Sequence, residues 1–241
     1  MTIRATPPLP ETEIQAEFPD PGSEVFNFDR YLRGVGPVPA SVTQIPATFP
    51  LSWDDFLNAR KSTPGSVEWT DPGRYEFVVP PYATMTVEVN GAGGGAGSSV
   101  WENYGAPVAA SGNSGFPGEE SRFLALVGGG GGGGGGGIGT GARTASPGVA
   151  GTPGTALGGT TNTPGGGMLG GAGKPYLTGL GPGGSGGNGG KAVRTYTVGE
   201  PGAPVVGEQL FASVGVGAAA GAFPGNQGTN GQNGKVRISW T

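Results

Sequence analysis

The chain has 241 residues, 55 of them glycine and 23 proline, about a third of all positions where average usage is roughly 12%. Hydrophobic residues make up 34% and charged residues 12%, too few of the first for one conventional core throughout and too few of the second for a charge-rich disordered chain. With no His and no Cys, a His general base, a Cys nucleophile, a disulfide and the usual zinc and haem ligand sets are excluded, and a net charge of −4 provides no whole-chain positive field for nucleic acid or anionic lipid.

No apolar run approaches the roughly 20 residues of a membrane span, and the first residues lack an apolar h-region, so a soluble protein made in the cytoplasm is expected. Residues 1–90 hold 5 glycines and residues 91–241 hold 50, and the charge balance changes from 12 acids and 6 bases to 5 acids and 7 bases. Two physical regimes share the chain.

The first 64 residues predict short helices. Thr12-Glu13-Ile14-Gln15 fits a capping box with Ile14 and Phe18 on one face, and Asn27–Leu32 and Ser52–Leu57 repeat a cap, an aromatic, an acid and an aromatic–Leu pair at a 25-residue offset. Pro19, Gly34 and Pro64 stop each one. Helices this short are marginal unless their apolar faces are covered, which predicts packing against other subunits. The runs Thr12–Phe18, Val25–Pro39 and Ile45–Lys61 together resemble a segment common in bacteriophage tail proteins, with Pro19-Asp20-Pro21 standing where that family has glycines. The resemblance implies attachment to a tail-tip or fibre structure, with Ile14, Phe18, Phe28, Tyr31, Leu32, Trp53, Phe56 and Leu57 as attachment candidates.

From Ser66 onward apolar and polar residues alternate. Strands are expected at 67–69, 75–79, 84–89, 122–127, 194–198, 209–216 and 235–240, with Asp71-Pro72-Gly73 as a turn between the first two. Seven strands suffice for a small sandwich in which the first strands and the last could pair, and Trp69, Phe77, Phe123, Phe211 and Trp240 are assigned to its core. Between the strands lie glycine tracts 91–97, 128–141, 147–190 and 215–234, including the unbroken run Gly128–Gly137. A polyglycine-II-like ribbon has three residues per turn, a rise of about 3.1 Å and no internal hydrogen bonds, so its N–H and C=O groups must pair with neighbouring ribbons. A strict Gly-X-Y period is absent, which disfavours a collagen triple helix.

Trp69, Pro72-Gly73, Tyr75–Pro80, Val87–Gly95, the ten-glycine run and the closing Gly234–Trp240 look like the glycine-rich domain at the tips of phage tail fibres, similar in kind to the T-even-type adhesins. What this implies is a sandwich of stacked polyglycine-II helices whose loops bind the host surface. Large residues stranded among glycines suit such recognition, because they offer contact area at low entropy cost. They are Trp101, Tyr104, Phe116, Met168, Leu169, Tyr176, Leu177, Leu180 and Phe223; the alternative is that each anchors its loop to the sandwich or to a neighbouring subunit.

Catalysis is not expected. The nearest P-loop candidate, ending at Gly190-Lys191, has Ser185 at its first glycine position and Ala192 after the lysine, and adjacent Glu119 and Glu120 would face opposite sides of a strand. The expectation is therefore mainly β, with polyglycine-II-like segments and a small β-sandwich (65–241), preceded by an extended N-terminal attachment segment with short helices (1–64). The functional expectation is a virion protein of the tail tip or fibre, without cofactor or metal, partnered by other tail or baseplate proteins and by a bacterial surface receptor of protein or polysaccharide. No nucleic acid and no membrane insertion are expected; the resemblance implies a homotrimer, with a single adhesin capping a trimeric shaft as the alternative. A purely structural baseplate or fibre-joint component, and a fibre-assembly chaperone, are the alternatives.

Overall fold

The structure, a computed structural model, describes residues 14–15, 17–18, 31, 45, 64–102, 109–141, 144–174, 181–222 and 227–241. Ahead of the sheets, Phe18 N–H donates to the Ile14 carbonyl at 2.8 Å, the bond of a helical turn. Ile14, Phe18, Tyr31 and Ile45 are all buried within this one chain, so three attachment candidates are already covered without a second subunit. The helices expected at 27–32 and 52–57, with Phe28, Leu32, Trp53, Phe56 and Leu57, lie outside the described residues.

Fourteen strands occur among the described residues: β1 (Gly65–Trp69), β2 (Gly73–Val78), β3 (Thr84–Asn90), β4 (Trp101–Glu102), β5 (Ala109–Ala110), β6 (Ser121–Phe123), β7 (Leu126–Gly128), β8 (Ile138–Gly141), β9 (Thr144–Ser146), β10 (Ala156–Leu157), β11 (Thr161–Thr163), β12 (Lys191–Thr197), β13 (Gln209–Val214) and β14 (Lys235–Trp240). They form two five-stranded antiparallel sheets, ordered β1-β14-β3-β12-β11 and β10-β7-β6-β13-β2, and two small hairpins, β4-β5 and β8-β9. β1 lies against β14 from Gly65 opposite Trp240 to Trp69 opposite Val236, so the closing strand is held by the opening one.

Alternation decides what each strand buries. Met85, Val87 and Val89 of β3 meet Phe123 and Leu126 from the other sheet, together with Leu210, Ala212 and Val214 of β13, in one core. Phe77 sits at its centre, with ring centroids 6.1 Å from Phe123, 5.9 Å from Trp240 and 6.2 Å from Trp69. Trp69 and Trp240 are half-buried flanks of this core.

Three expectations need correction. Phe211 is outside the core and 45% exposed, because it shares parity with Gln209 and Ser213; the Arg74 guanidinium lies 4.0 Å from its ring centre. The single strand expected at 122–127 is a hairpin, β6–β7, turned at Leu124 with φ of 52°. Glu119 and Glu120 precede β6 and occupy no strand.

The glycine-rich segments make a second, side-chain-poor body. At its centre residues 91–98 are all buried, and their donors rotate among three neighbours with a period of three. Gly91, Gly94 and Gly97 donate to Gly190, Gly187 and Gly184; Ala92, Gly95 and Ser98 to Glu119, Phe116 and Asn113; Gly93 and Ala96 to Gln232 and Thr229. The carbonyls serve three further segments. Ala92 and Gly95 accept from Gly131 and Gly134, Gly91 and Gly94 from Met168 and Gly171, and Gly93 and Ala96 from Ala218 and Gly221.

The six neighbours also bond to one another in the cyclic order 112–119, 128–137, 181–190, 165–172, 229–234, 215–221, which closes a ring around the centre. An eighth segment, 148–155, lies outside, between 128–137 and 181–190. Side chains are excluded by the closeness of approach. A Cβ on Gly94 would collide with the Gly132 carbonyl, and one on Gly97 with that of Gly135.

Gly94→Ala should therefore lower stability by on the order of 3 kcal/mol, an overpacking penalty with no flexible neighbour to absorb it. Gly202→Ala, at φ of +80° with open space around it, should lose only about 1 kcal/mol, and chemical unfolding of the two variants checks the contrast. A second test is pH. The Tyr82 hydroxyl donates to the Pro204 carbonyl at 2.6 Å, and its pKa is pushed up to about 12, first by burial and then by Glu200, Tyr196 and Glu208. A raised folded-state value means stability that is complete below pH 10 and is lost between pH 10 and 12, by about 2 kcal/mol. Tyr82→Phe should flatten that alkaline slope in thermal melts.

Candidate functional site

The chain enters and leaves the ribbon body four times. From β3 it runs outward through 91–100 and returns through 111–119 to β6; from β7 it runs outward through 129–137 and returns through 147–155 to β10. From β11 it runs outward through 165–174 and returns through 181–190 to β12; from β13 it runs outward through 215–222 and returns through 227–234 to β14. The described ends of the outward and returning ribbons, at 100 and 111, 137 and 147, 174 and 181, and 222 and 227, therefore lie at the end of the ribbon body remote from the sheets.

That end is tied together by short polar contacts. Ser98 N–H donates to the Asn113 carbonyl at 2.9 Å, Asn113 N–H donates to Ser98 Oγ at 2.7 Å, and Asn113 Nδ2 donates to the Ala222 carbonyl at 2.5 Å. Gly139 N–H donates to Ser111 Oγ at 3.2 Å, which links the hairpin β8–β9 to the ribbon that returns from β4–β5. The described ribbon ends are thus bonded to each other, the kind of rigid base from which loops can carry binding residues.

The contact candidates divide. Trp101 opens the hairpin β4–β5 opposite Ala110, at the outer end. Tyr104, Tyr176, Leu177, Leu180 and Phe223 lie outside the described residues. Phe116, Met168 and Leu169 are instead on ribbon flanks. Phe116 is 59% and Leu169 58% exposed, and their ribbons stand on opposite sides of the central one, so the two side chains do not share a surface. Ile138, 47% exposed at the start of β8, belongs to the outer end and escapes a reading of 128–141 as one uniform glycine tract. Its signal is a single large residue immediately after ten glycines.

The flanks are closed by side chains acting as substitute backbone. Asn188 Oδ1 accepts from Gly170 N–H at 3.0 Å, Gln232 Oε1 from Leu169 at 3.4 Å and Thr229 Oγ1 from Ala172 at 2.7 Å. Asn233 Oδ1 accepts from Gly217 at 3.0 Å, Asn230 Oδ1 from Ala220 at 2.9 Å, Ser121 Oγ from Gly215 at 3.1 Å and Glu119 Oε2 from Val216 at 3.2 Å. Each satisfies a backbone donor that has no backbone acceptor among the described residues.

Charged pairs sit where the ribbons join the sheets. Lys191 Nζ is 2.8 Å from Glu88 Oε2, so the lysine after Gly190 is engaged by a carboxylate. Burial alone would raise the Glu88 pKa, but hydrogen bonds from Lys191 and Asn90 and the charges of Lys191 and Lys235 outweigh it and hold the carboxyl below its ordinary value. Among the described residues no group of three His, Cys, Asp or Glu is placed to hold a metal ion. An open cleft lined by Val198, Glu200, Ala203, Pro204, Val205 and Val206 lies in the β12–β13 connection, at the far end of the sheets from the ribbons.

Family models, curated proteins and solved structures give no match to this chain. Asn188→Ala should leave Gly170 N–H without its acceptor and lower stability by about 1 kcal/mol. Amide exchange at Gly170 should accelerate while that at Gly94, inside the body, stays slow.

Proposed function

We propose that this chain is a structural protein of a bacteriophage virion, at the tail tip or tail fibre, in which residues 1–64 attach to the particle and residues 65–241 form a tip that contacts the host cell surface. We read the glycine ribbons as polyglycine-II helices, since a three-residue period of bonding partners is what a threefold extended chain requires. The observation that carries the reading is the pairing of every donor from Gly91 to Ser98 with a neighbouring ribbon. Such pairing makes a stiff rod out of a sequence almost without side chains. On this proposal a surface receptor of protein or polysaccharide meets the outer end of the ribbons, with Trp101, Ile138, Tyr104, Tyr176, Leu177, Leu180 and Phe223 as the contact residues. The action proposed is binding rather than catalysis, with no cofactor, in a homotrimeric assembly joined to other tail or baseplate proteins.

A purely structural role in a baseplate or fibre joint is the second reading. It is favoured by the placement of Phe116 and Leu169 on opposite flanks, which suits two lateral neighbours better than one receptor. Replacing 103–108 and 175–180 by short Ser/Gly loops leaves the ribbons intact and separates the readings. For a host-contacting tip, adsorption of otherwise normal particles should fall at least tenfold; unchanged adsorption and host range would sink that role and leave the structural one.

A further inference from the structure

The run Gly128–Gly137 presents three rows of amide donors, one for each position of its three-residue period. The row Gly131, Gly134, Gly137 donates to Ala92, Gly95 and Ser98 of the central ribbon. The row Gly129, Gly132, Gly135 donates to Thr155, Thr152 and Val149 at 2.7, 2.8 and 2.7 Å. The third row, Gly130, Gly133 and Gly136, has no partner among the described residues, and all three glycines are partly exposed. Beside it the carbonyls of Gly118, Gly115 and Gly112 approach these three glycines in register, and they too accept no bond among the described residues. The donors of Gly112, Gly115 and Gly118 are engaged with Gly137, Gly134 and Gly131, which keeps the two walls together.

The groove between 112–118 and 128–137 is thus lined by three N–H groups and three C=O groups without a partner among the described residues, each set repeating every third residue. Its counterpart on the other side of the same run shows what such a groove takes. There the donors are Gly129, Gly132 and Gly135, and the acceptors are the carbonyls of Pro182, Ser185 and Asn188. Between these walls lies Gly148-Val149-Ala150-Gly151-Thr152-Pro153-Gly154-Thr155. Gly148, Gly151 and Gly154 donate at 2.8 Å to one wall, and Val149, Thr152 and Thr155 accept from the other. Elsewhere on the flanks such donors are covered by Asn, Gln, Thr, Ser or Glu side chains; the six glycines of this groove have none to offer.

We propose that this groove is a docking site for a ninth ribbon, an extended segment of a separate polypeptide with glycine at every third position. Glycine is required at the donor positions because the walls approach as closely as those around Gly151, where a Cβ would strike the Gly132 carbonyl. A folded second copy is not the occupant, since among the described residues its glycine-repeat ribbons are already built into its own body. The proposal rests on reading the segments as threefold ribbons and is independent of host contact.

The test uses the full chain with ¹⁵N-glycine labelling, amide exchange by NMR, and a synthetic peptide of the sequence GVAGTPGT as probe. In the free protein, Gly130, Gly133 and Gly136 should exchange at least a hundredfold faster than Gly131, Gly132, Gly134 and Gly135. Added peptide should slow those three at least tenfold, whereas the peptide with alanine at its second glycine should have no effect. Three outcomes overturn the docking site: no response to the peptide, equal response to the alanine control, or protection of the three amides that rises with protein concentration alone, which would make a second copy the occupant. Rapid exchange throughout 129–137 in the folded protein would instead refute the ribbon reading beneath it.

Discussion

Backbone amides removed from water must find partners, and in residues 91–98 there is almost no side chain to supply them. Every N–H in this stretch is bonded to another segment of the chain, and the partners change with each residue in a cycle of three. Glycine is needed for closeness and not for unusual dihedrals: the α-carbon of one ribbon lies against the carbonyl of the next, with no room for a methyl group at most positions. Where a methyl does occur, the opposing ribbon yields. Ala96 is fully buried, and a Cβ on Gly228 would press on its side chain. Rigidity here comes from hydrogen bonding and close contact, with little of the apolar burial that stabilises ordinary domains.

The two sheets supply that apolar burial and also assign each ribbon its address. β3 lies between β12 and β14, and the ribbons that extend these strands, 91–98, 181–190 and 229–234, keep the same adjacency. β6 lies between β7 and β13, and 112–119 lies correspondingly between 128–137 and 215–221. β10 beside β7 and β11 beside β12 continue as 148–155 beside 128–137 and 165–172 beside 181–190. Strand pairing, specified by the alternation that buries Val87, Phe123 or Leu210, thus carries register into segments with no side-chain pattern of their own. The ion pair of Glu88 with Lys191 and the bond from Asn90 to Glu88 lie at this junction, where strand gives way to ribbon.

This division of labour separates the outer ends of the ribbons from the apolar core. The described ribbon ends remote from the sheets lie together, and the bonds among Ser98, Asn113 and Ala222 tie three of them to one another. A single methyl group inside the ribbons would collide with the facing carbonyls.

Local signals were enough to read the strand-bearing half. Alternation located β1, β2, β3, β12, β13 and β14, and the shift in glycine content near residue 90 marked where ordinary packing stops. The need of the glycine tracts for mutual pairing was also legible, because a chain without side chains has no other means of satisfying its backbone. What sequence could not say was which ribbon lies beside which, since identical glycines carry no address; the sheets decide that. For the same reason the flank caps Asn188, Asn230, Gln232 and Asn233 were silent, as was the separation of Phe116 from Leu169. Phe211 and the β6–β7 turn at Leu124 were misread because hydrophobicity alone cannot tell which face of a short strand meets the core. These are relations between segments distant in the chain, and only the packed structure sets them.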